Sequence, residues 1–180
     1  MKIKLLSALL FSFLLIASCS DNGNGNDPDN GTPNSSELKL NLSGDINEDY
    51  TVPLPFIFDL PNYVTEDNKN ISVLYFVMTF DNEKYTFYLA AVDYDSQDGV
   101  REGTYDVIPV DNSGEFPSEE AATMVITEPG TAAAYSSTGG SLKITEYNSE
   151  YITGTFNITL TSIGDPNKTV TAEGSFSYIK

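Results

Sequence analysis

Tyr151-Ile152-Thr153-Gly154-Thr155-Phe156-Asn157-Ile158-Thr159-Leu160-Thr161 alternates apolar and polar positions without a break. Ile152, Gly154, Phe156, Ile158 and Leu160 fall on one side, and Tyr151, Thr153, Thr155, Asn157, Thr159 and Thr161 on the other. A period of two belongs to an extended strand, whose successive side chains point to opposite faces. One dry face and one Thr-rich wet face is the pattern of an antiparallel sheet. After Gly164-Asp165-Pro166-Asn167, a turn by composition, Val170, Ala172, Gly174, Phe176 and Tyr178 alternate with Thr169, Thr171, Glu173, Ser175 and Ser177. The two runs predict a hairpin. Gly154, standing among the inward positions, predicts a bulge or a close backbone approach.

The same period recurs upstream. Leu38, Leu40 and Leu42 alternate with polar residues, and Val52, Leu54, Phe56, Phe58 and Leu60 read as one apolar face. Pro53 and Pro55 lie on the opposite parity and cannot donate ladder hydrogen bonds, so this segment is expected at a sheet edge or only partly as strand. Ile71 to Phe80 and Tyr85 to Val92 are apolar on nearly both faces and are joined by the turn-forming Asp81-Asn82-Glu83-Lys84. They predict the centre of the sheet, with covering on both sides preferred to an exposed apolar binding face. Gly103 to Pro109 is expected as a strand, Asp111-Asn112-Ser113-Gly114 as a turn, and Ser118 to Ala122 as one short helical turn. A strand carrying Ala122, Met124 and Ile126 runs to a turn at Glu128-Pro129-Gly130. Thr131 to Ser136 and Ser141 to Tyr147 read as two strands separated by Thr138-Gly139-Gly140. Nine or ten such strands predict an all-β fold, an antiparallel β-sandwich or a meander barrel, as a single domain over residues 37–180.

Gly140-Ser141-Leu142-Lys143-Ile144-Thr145-Glu146-Tyr147, followed by Ile152-Thr153-Gly154-Thr155-Phe156-Asn157-Ile158, resembles the G-x-L-x-I-T-x-Y … I-x-G-T-F-x-F signature of Bacteroidota lipoprotein domains of unknown function. Ala134-Tyr135-Ser136 and Gly103-Thr104-Tyr105 fit the same pattern, so the resemblance spans roughly residues 100–180. It implies an all-β fold on a surface lipoprotein, and no activity.

The N-terminus is of a different kind. Lys2 and Lys4 precede an apolar run from Leu5 to Ala17, too short for the ~20 residues that span a bilayer and suited to a secretion signal. Leu15-Ile16-Ala17-Ser18-Cys19 resembles the lipobox of bacterial lipoproteins, with cleavage between Ser18 and Cys19 and acylation of Cys19, the chain's one cysteine. The competing reading is an ordinary secretory signal cut near Ala17 or Ser18. Residues 1–18 are thus expected as a signal peptide, and a lipidated Cys19 as the anchor to the membrane. A palmitate-type chain contributes about 0.8 kcal/mol per buried methylene, so stable anchoring takes more than one chain.

Ser20 to Ser36, SDNGNGNDPDNGTPNSS, contains no side chain large enough to join a core, and residues 19–36 are expected to form a disordered tether with a reach on the order of 20–25 Å. Asp21, Asp27 and Asp29 lack the spacing of a calcium loop and read as part of a solvated spacer. Ser20-Asp21-Asn22 resembles the surface-export signals of Bacteroidota lipoproteins. The expected location is the cell envelope, lipid-anchored at the outer membrane, with exposure at the cell surface.

Charge and residue types then narrow the chemistry. The chain has a formal net charge of −17, and removal of the leader leaves 26 acidic against 7 basic residues, hence −19. Such a surface repels nucleic acid, and no Lys/Arg cluster counters it. Histidine is absent, which removes His-based triads and His-containing zinc sites, and the single cysteine is committed to lipid. The reading is therefore of a non-enzyme with no catalytic residue, no cofactor and no metal. The carboxylate pair of a glycan hydrolase remains as an alternative. Asp93-Tyr94-Asp95-Ser96-Gln97-Asp98-Gly99 resembles an oxygen-ligand calcium loop, yet Gly99 comes one place late, and a hydrophilic hairpin connection is preferred.

Tyr50, Tyr63, Tyr94, Tyr135, Tyr147 and Tyr151 are placed in loops or on outward positions, and Tyr94, Tyr135, Tyr147 and Tyr151 are the candidate surface-binding side chains. Tyrosine on a polar β-surface stacks on sugars or anchors an interface, so a glycan or another surface protein is the expected partner. The absence of Trp weakens the glycan reading. A second alternative is a calycin-like barrel that holds a small ligand in an apolar cavity fed by the Ile71–Val92 hairpin.

Overall fold

The computed structural model describes residues 32–53, 57–64, 69–80, 85–94, 96, 98–110, 119–128 and 134–180. The leader, Cys19 and most of the tether lie outside the described residues, as do the turns expected at 81–84, 111–114 and 129–130. The fold is all-β: β1 (Glu37–Gly44), β2 (Glu48–Pro53), β3 (Ile57–Val64), β4 (Asn70–Phe80), β5 (Tyr85–Tyr94), β6 (Gly103–Asp106), β7 (Ala121–Thr127), β8 (Ala134–Tyr147), β9 (Tyr151–Ser162) and β10 (Thr169–Ile179). They make one antiparallel sheet in the order β2-β1-β10-β9-β8-β7-β5-β4-β3, curled into a half-barrel, with β6 off this path against β8.

The hairpin read from the last third is present: β9 and β10 pair over their whole length, from Tyr151↔Ile179 to Thr161↔Thr169. The expected turn closes it, with the Lys168 amide donating to the Asp165 carbonyl at 3.0 Å. Strands β2 and β3, the two ends of the sheet, are successive in the chain. Three residues separate Pro53 from Ile57, so their Cα atoms lie within roughly 14 Å, and the sheet must curl to bring its ends so near. Pro53 fits this placement, because an edge strand has a side on which no ladder donor is needed; Pro55 lies outside the described residues. Pro61 sits in β3 at an irregularity of register between Leu60 and Tyr63, with Asn62 at φ 54°.

Alternation sends one face of each strand inward. Leu38, Leu40 and Leu42 meet Phe76, Phe87, Met124, Leu142, Ile158, Leu160 and Phe176 in one buried core. Across the interior, Phe76 on β4 meets Phe176 on β10 edge to face, centroids 4.7 Å apart, and Phe87 on β5 meets Phe156 on β9 at 6.0 Å. Each fully buried side chain of this size contributes roughly 1.5–3 kcal/mol.

Four expectations need correction. Of the face read as Val52, Leu54, Phe56, Phe58 and Leu60, Leu54 and Phe56 lie outside the described residues, and the rest do not share one side: Val52 in β2 packs against the core, whereas in β3 Ile57 faces the core and Phe58 and Leu60 point outward, each 46% exposed. Instead of two strands parted by Thr138-Gly139-Gly140, β8 is one strand of 14 residues that absorbs the irregularity as a register shift between Ser137 and Gly139. Among the described residues of the turn expected at Ser118 to Ala122, none is helical: residues 119 and 120 form a bend, and Ala121 and Ala122 already belong to β7, while Ser118 lies outside the described residues. The segment after β5 is not a hairpin connection, because β5 pairs with β4 and β7 whereas the next strand, β6, pairs with β8.

That last arrangement has a physical hinge in Ser137. Strands β7 and β8 pair only from Val125↔Ser136 to Thr127↔Ala134, and beyond this the ladder opens to admit β6 and its continuation. Ser137, fully buried, fills the fork: its Oγ donates to the Ile108 carbonyl at 2.9 Å and accepts from the Met124 amide at 3.2 Å.

Candidate functional site

The inward parity of β5 carries Tyr85, Phe87, Leu89 and Ala91, then delivers Asp93 at the strand's end. A carboxylate buried there requires donors, and residues 101 and 105 supply them. Arg101 Nε lies 2.9 Å from Oδ2, its Nη2 lies 2.6 Å from Oδ1, and its backbone amide donates to Oδ2 at 2.8 Å. The Tyr105 hydroxyl stands 2.8 Å from both Asp93 Oδ2 and the Arg101 carbonyl, and its one proton serves one of them at a time. Arg101 also pairs with Glu120. Opposite Asp93 in the β4–β5 ladder, Ser72 donates to the Ser96 carbonyl at 3.1 Å.

Next to this cluster is an open hollow of about 600 Å³, lined by Ser96, residues 98–102 and Tyr147. Tyr147 donates to Asp59 Oδ2 at 2.7 Å, Lys180 pairs with the same oxygen at 3.2 Å, and the Lys180 ammonium sits 3.7 Å from the centre of the Tyr147 ring. Gly99 permits the closeness, since an added Cβ would stand 1.9 Å from the Tyr147 hydroxyl. The Glu102 carboxylate accepts from the Tyr147 amide at 3.1 Å.

The electrostatics move these groups away from neutral pH. Burial alone would raise the Asp93 carboxyl, but the Arg101 and Tyr105 donors outweigh it and hold the group below the usual carboxylate value. Burial, and then the carboxylates of Asp93 and Asp59, push the Tyr105 and Tyr147 phenols well above the ordinary tyrosine value. The cluster donates and accepts hydrogen bonds as a fixed framework, and proton exchange is opposed at each of these positions. Asp93 is committed inward, so it is not the first ligand of a calcium loop, and among the described residues no group of three acidic or thiol ligands converges. Asp95 and Gln97 lie outside the described residues.

The second candidate surface lies on the outside of the sheet. On β4 and β5 the outward residues are Ile71, Val73, Tyr75, Val77 and Thr79, and Thr86, Tyr88, Ala90, Val92 and Tyr94; on β7 they include Thr123 and Val125. Ile71, Val73 and Val92 are buried with Tyr75 and Tyr94 packed on them, whereas Phe58, Leu60 and Tyr63 are each 46% exposed. The hairpin read as covered on both sides is thus only partly covered on its outer side. Phe58, Tyr75 and Tyr88 form a row across three strands, with centroids 6.2 and 6.5 Å apart. A shallow hollow of about 280 Å³ is lined by Tyr75, Tyr88, Ala90, Val110, Thr123 and Val125.

The four candidate tyrosines are not brought together. Tyr94 packs on the outer cluster of β4 and β5, with Lys69 Nζ 5.5 Å from its ring centre. Tyr147 borders the larger hollow, and Tyr151 is half-buried and donates to Glu146 Oε1 at 2.6 Å. Tyr135 corrects the expectation: it is 8% exposed and belongs to the core, because its strand parity is that of Leu142 shifted by the irregularity after Ser137. Sequence reasoning misses Tyr75 and Tyr88 because they sit in stretches that are apolar on nearly both faces. Period two groups Tyr75 with Val73 and Tyr88 with Ala90, but with both parities apolar no signal in the sequence marks that side as the outer one. Compared with known proteins, the chain gives no significant match to any family model, curated protein or solved structure.

Proposed function

We propose that the chain is a lipid-anchored lipoprotein of the outer membrane or cell surface, and that its β-domain is a non-catalytic binding module. The anchor rests on the Leu15-Ile16-Ala17-Ser18-Cys19 run behind a short apolar leader. The observation that carries the binding role is the outer face of β3, β4, β5 and β7, where aromatic and aliphatic side chains remain partly open to solvent beside a domain interior filled by its own core. An exposed apolar patch on a strongly acidic protein marks a contact surface, since isolated chains bury such area where they can.

The absence of histidine, and the drift of Asp93, Tyr105 and Tyr147 away from neutral pH, favour binding over catalysis. Cells grown with an alkynyl palmitate analogue test the anchor: the chain labels and sediments with membranes, and Cys19→Ala does neither. An unlabelled chain released to the medium would overturn the anchored reading.

A further inference from the structure

We propose that the outer aromatic row Phe58–Tyr75–Tyr88, with the hollow beside it, binds a neutral oligosaccharide by stacking pyranose rings on its side chains. This deepens the reading of the domain as a binding module and rests on it. A pyranose has an apolar face of C–H bonds and a rim of hydroxyls, so its complement is an aromatic platform edged by hydroxyl groups. The row offers both. Its ring planes are 33° and 27° apart at centroid distances of 6.2 and 6.5 Å. Rings with centroids that far apart are not stacked face to face on one another. The Tyr75 and Tyr88 hydroxyls and Thr123 supply donors and acceptors around a hollow of about 280 Å³, near the lower end of the ~300–1,000 Å³ range of ligand clefts.

Charge selects among occupants. None of the outward residues described on β4, β5 and β7 within this face is charged, in a chain whose net charge is −17. Two such chains repel each other, as do this chain and an anionic membrane or an acidic polysaccharide, while a neutral glycan meets no long-range penalty. The contrast with the other outer half is direct. Along the middle of β9, β10 and β1 the outward positions carry Thr155, Asn157, Thr159, Thr171, Glu173 and Lys39, short or charged side chains, with Tyr151 at the end of β9 the aromatic one.

Calorimetric titration of the full-length protein in detergent with cellohexaose, xylohexaose, mannohexaose and maltohexaose, and with polygalacturonate as the anionic control, tests the proposal. At least one neutral hexasaccharide is expected to bind with a Kd of ~10 μM to ~1 mM, and polygalacturonate not at all. Tyr75→Thr and Tyr88→Thr should each weaken binding tenfold or more with the β-sheet circular dichroism unchanged, and Tyr75→Phe and Tyr88→Phe less than threefold. Thr159→Ala on the opposite face should leave it unchanged. Failure of all four neutral sugars, binding indifferent to the Thr variants, or equal losses in the Phe and Thr variants would each overturn the proposal. If the same face instead forms a concentration-dependent dimer in analytical ultracentrifugation, or sediments with anionic vesicles, the sugar is excluded while the binding module stands. Loss of the Cys19 anchor would be seen separately, in the labelling experiment.

Discussion

The ring of Phe176 on β10 lies over Gly154 on β9, so that a Cβ at position 154 would stand 2.4 Å from its Cζ and 2.5 Å from the Lys143 carbonyl. The relation is reciprocal, since Phe156 covers Gly174 in the same way, at 2.6 Å. Antiparallel pairing of Gly154-Thr155-Phe156 with Gly174-Ser175-Phe176 sets each glycine opposite the other strand's ring. The two rings lean across the glycines and reach Phe76 and Phe87 on the far side of the interior.

Gly154→Ala is therefore expected to destabilise the fold by about 1–3 kcal/mol, because the Lys143 carbonyl is backbone and cannot swing aside. Gly139, which has open space at its Cβ position, serves as the control. Gly139→Ala should change stability by no more than about 0.5 kcal/mol. Urea midpoints of the two variants check the contrast.

Asp93 makes stability depend on pH. Its folded pKa lies below its ordinary value, so the fold favours the charged form. The stabilisation is complete above the unfolded value of ~3.9 and is lost as pH falls through the folded one. Asp93→Asn should cost about 1–3 kcal/mol at pH 7, moderated by the 56% exposure of the Arg101 side chain. In urea unfolding from pH 7 down to pH 2, the gap between the native protein and the variant should close only below pH ~4. A gap that persists unchanged into strong acid would contradict the role given to the carboxylate.

Gly99 and Tyr147 should couple. Gly99 has a φ of +113°, so alanine there is strained, and the Tyr147 hydroxyl occupies the space its Cβ would need. Gly99→Ala should cost more in the native background than beside Tyr147→Ala, by about 0.5–3 kcal/mol in a double-mutant cycle.

Ser137 holds the fork between β7 and β8. Ser137→Ala leaves the Met124 amide and the Ile108 carbonyl without this partner, at an expected cost of roughly 1–3 kcal/mol. Hydrogen exchange should speed up at Met124 and not at Ile158, which sits in the uninterrupted β9–β10 ladder.

The sequence reveals this fold where a strand has one wet face. Strands β9 and β10 can be read residue by residue, because Thr and Ser alternate with Ile, Leu, Val and Phe. It reveals least where both faces are apolar. In β4 and β5 periodicity cannot tell Tyr75 from Phe76, and only the curl of the sheet decides which faces the core. Parity also slips where no composition signal marks it: the register shift after Ser137 turns Tyr135 inward, and Val52 of β2 packs on the core while Phe58 of β3, on the same parity, points outward. The Asp93 cluster is hidden for another reason. Its partners Arg101, Tyr105 and Glu120 come from separate elements, and an acidic run read alone suggests a metal loop rather than half of an ion pair.

Curling gathers the rings of Phe76, Phe87, Phe156 and Phe176 into one core and leaves Phe58, Tyr75 and Tyr88 on the outer face. Nuclear Overhauser spectroscopy on protein labelled at phenylalanine tests that most directly. Cross-peaks between the rings of Phe76 and Phe176, and between those of Phe87 and Phe156, are expected together with the cross-strand backbone peaks of the β9–β10 ladder. Ladder peaks without either ring pair would mean a flat, open sheet, and would contradict the account.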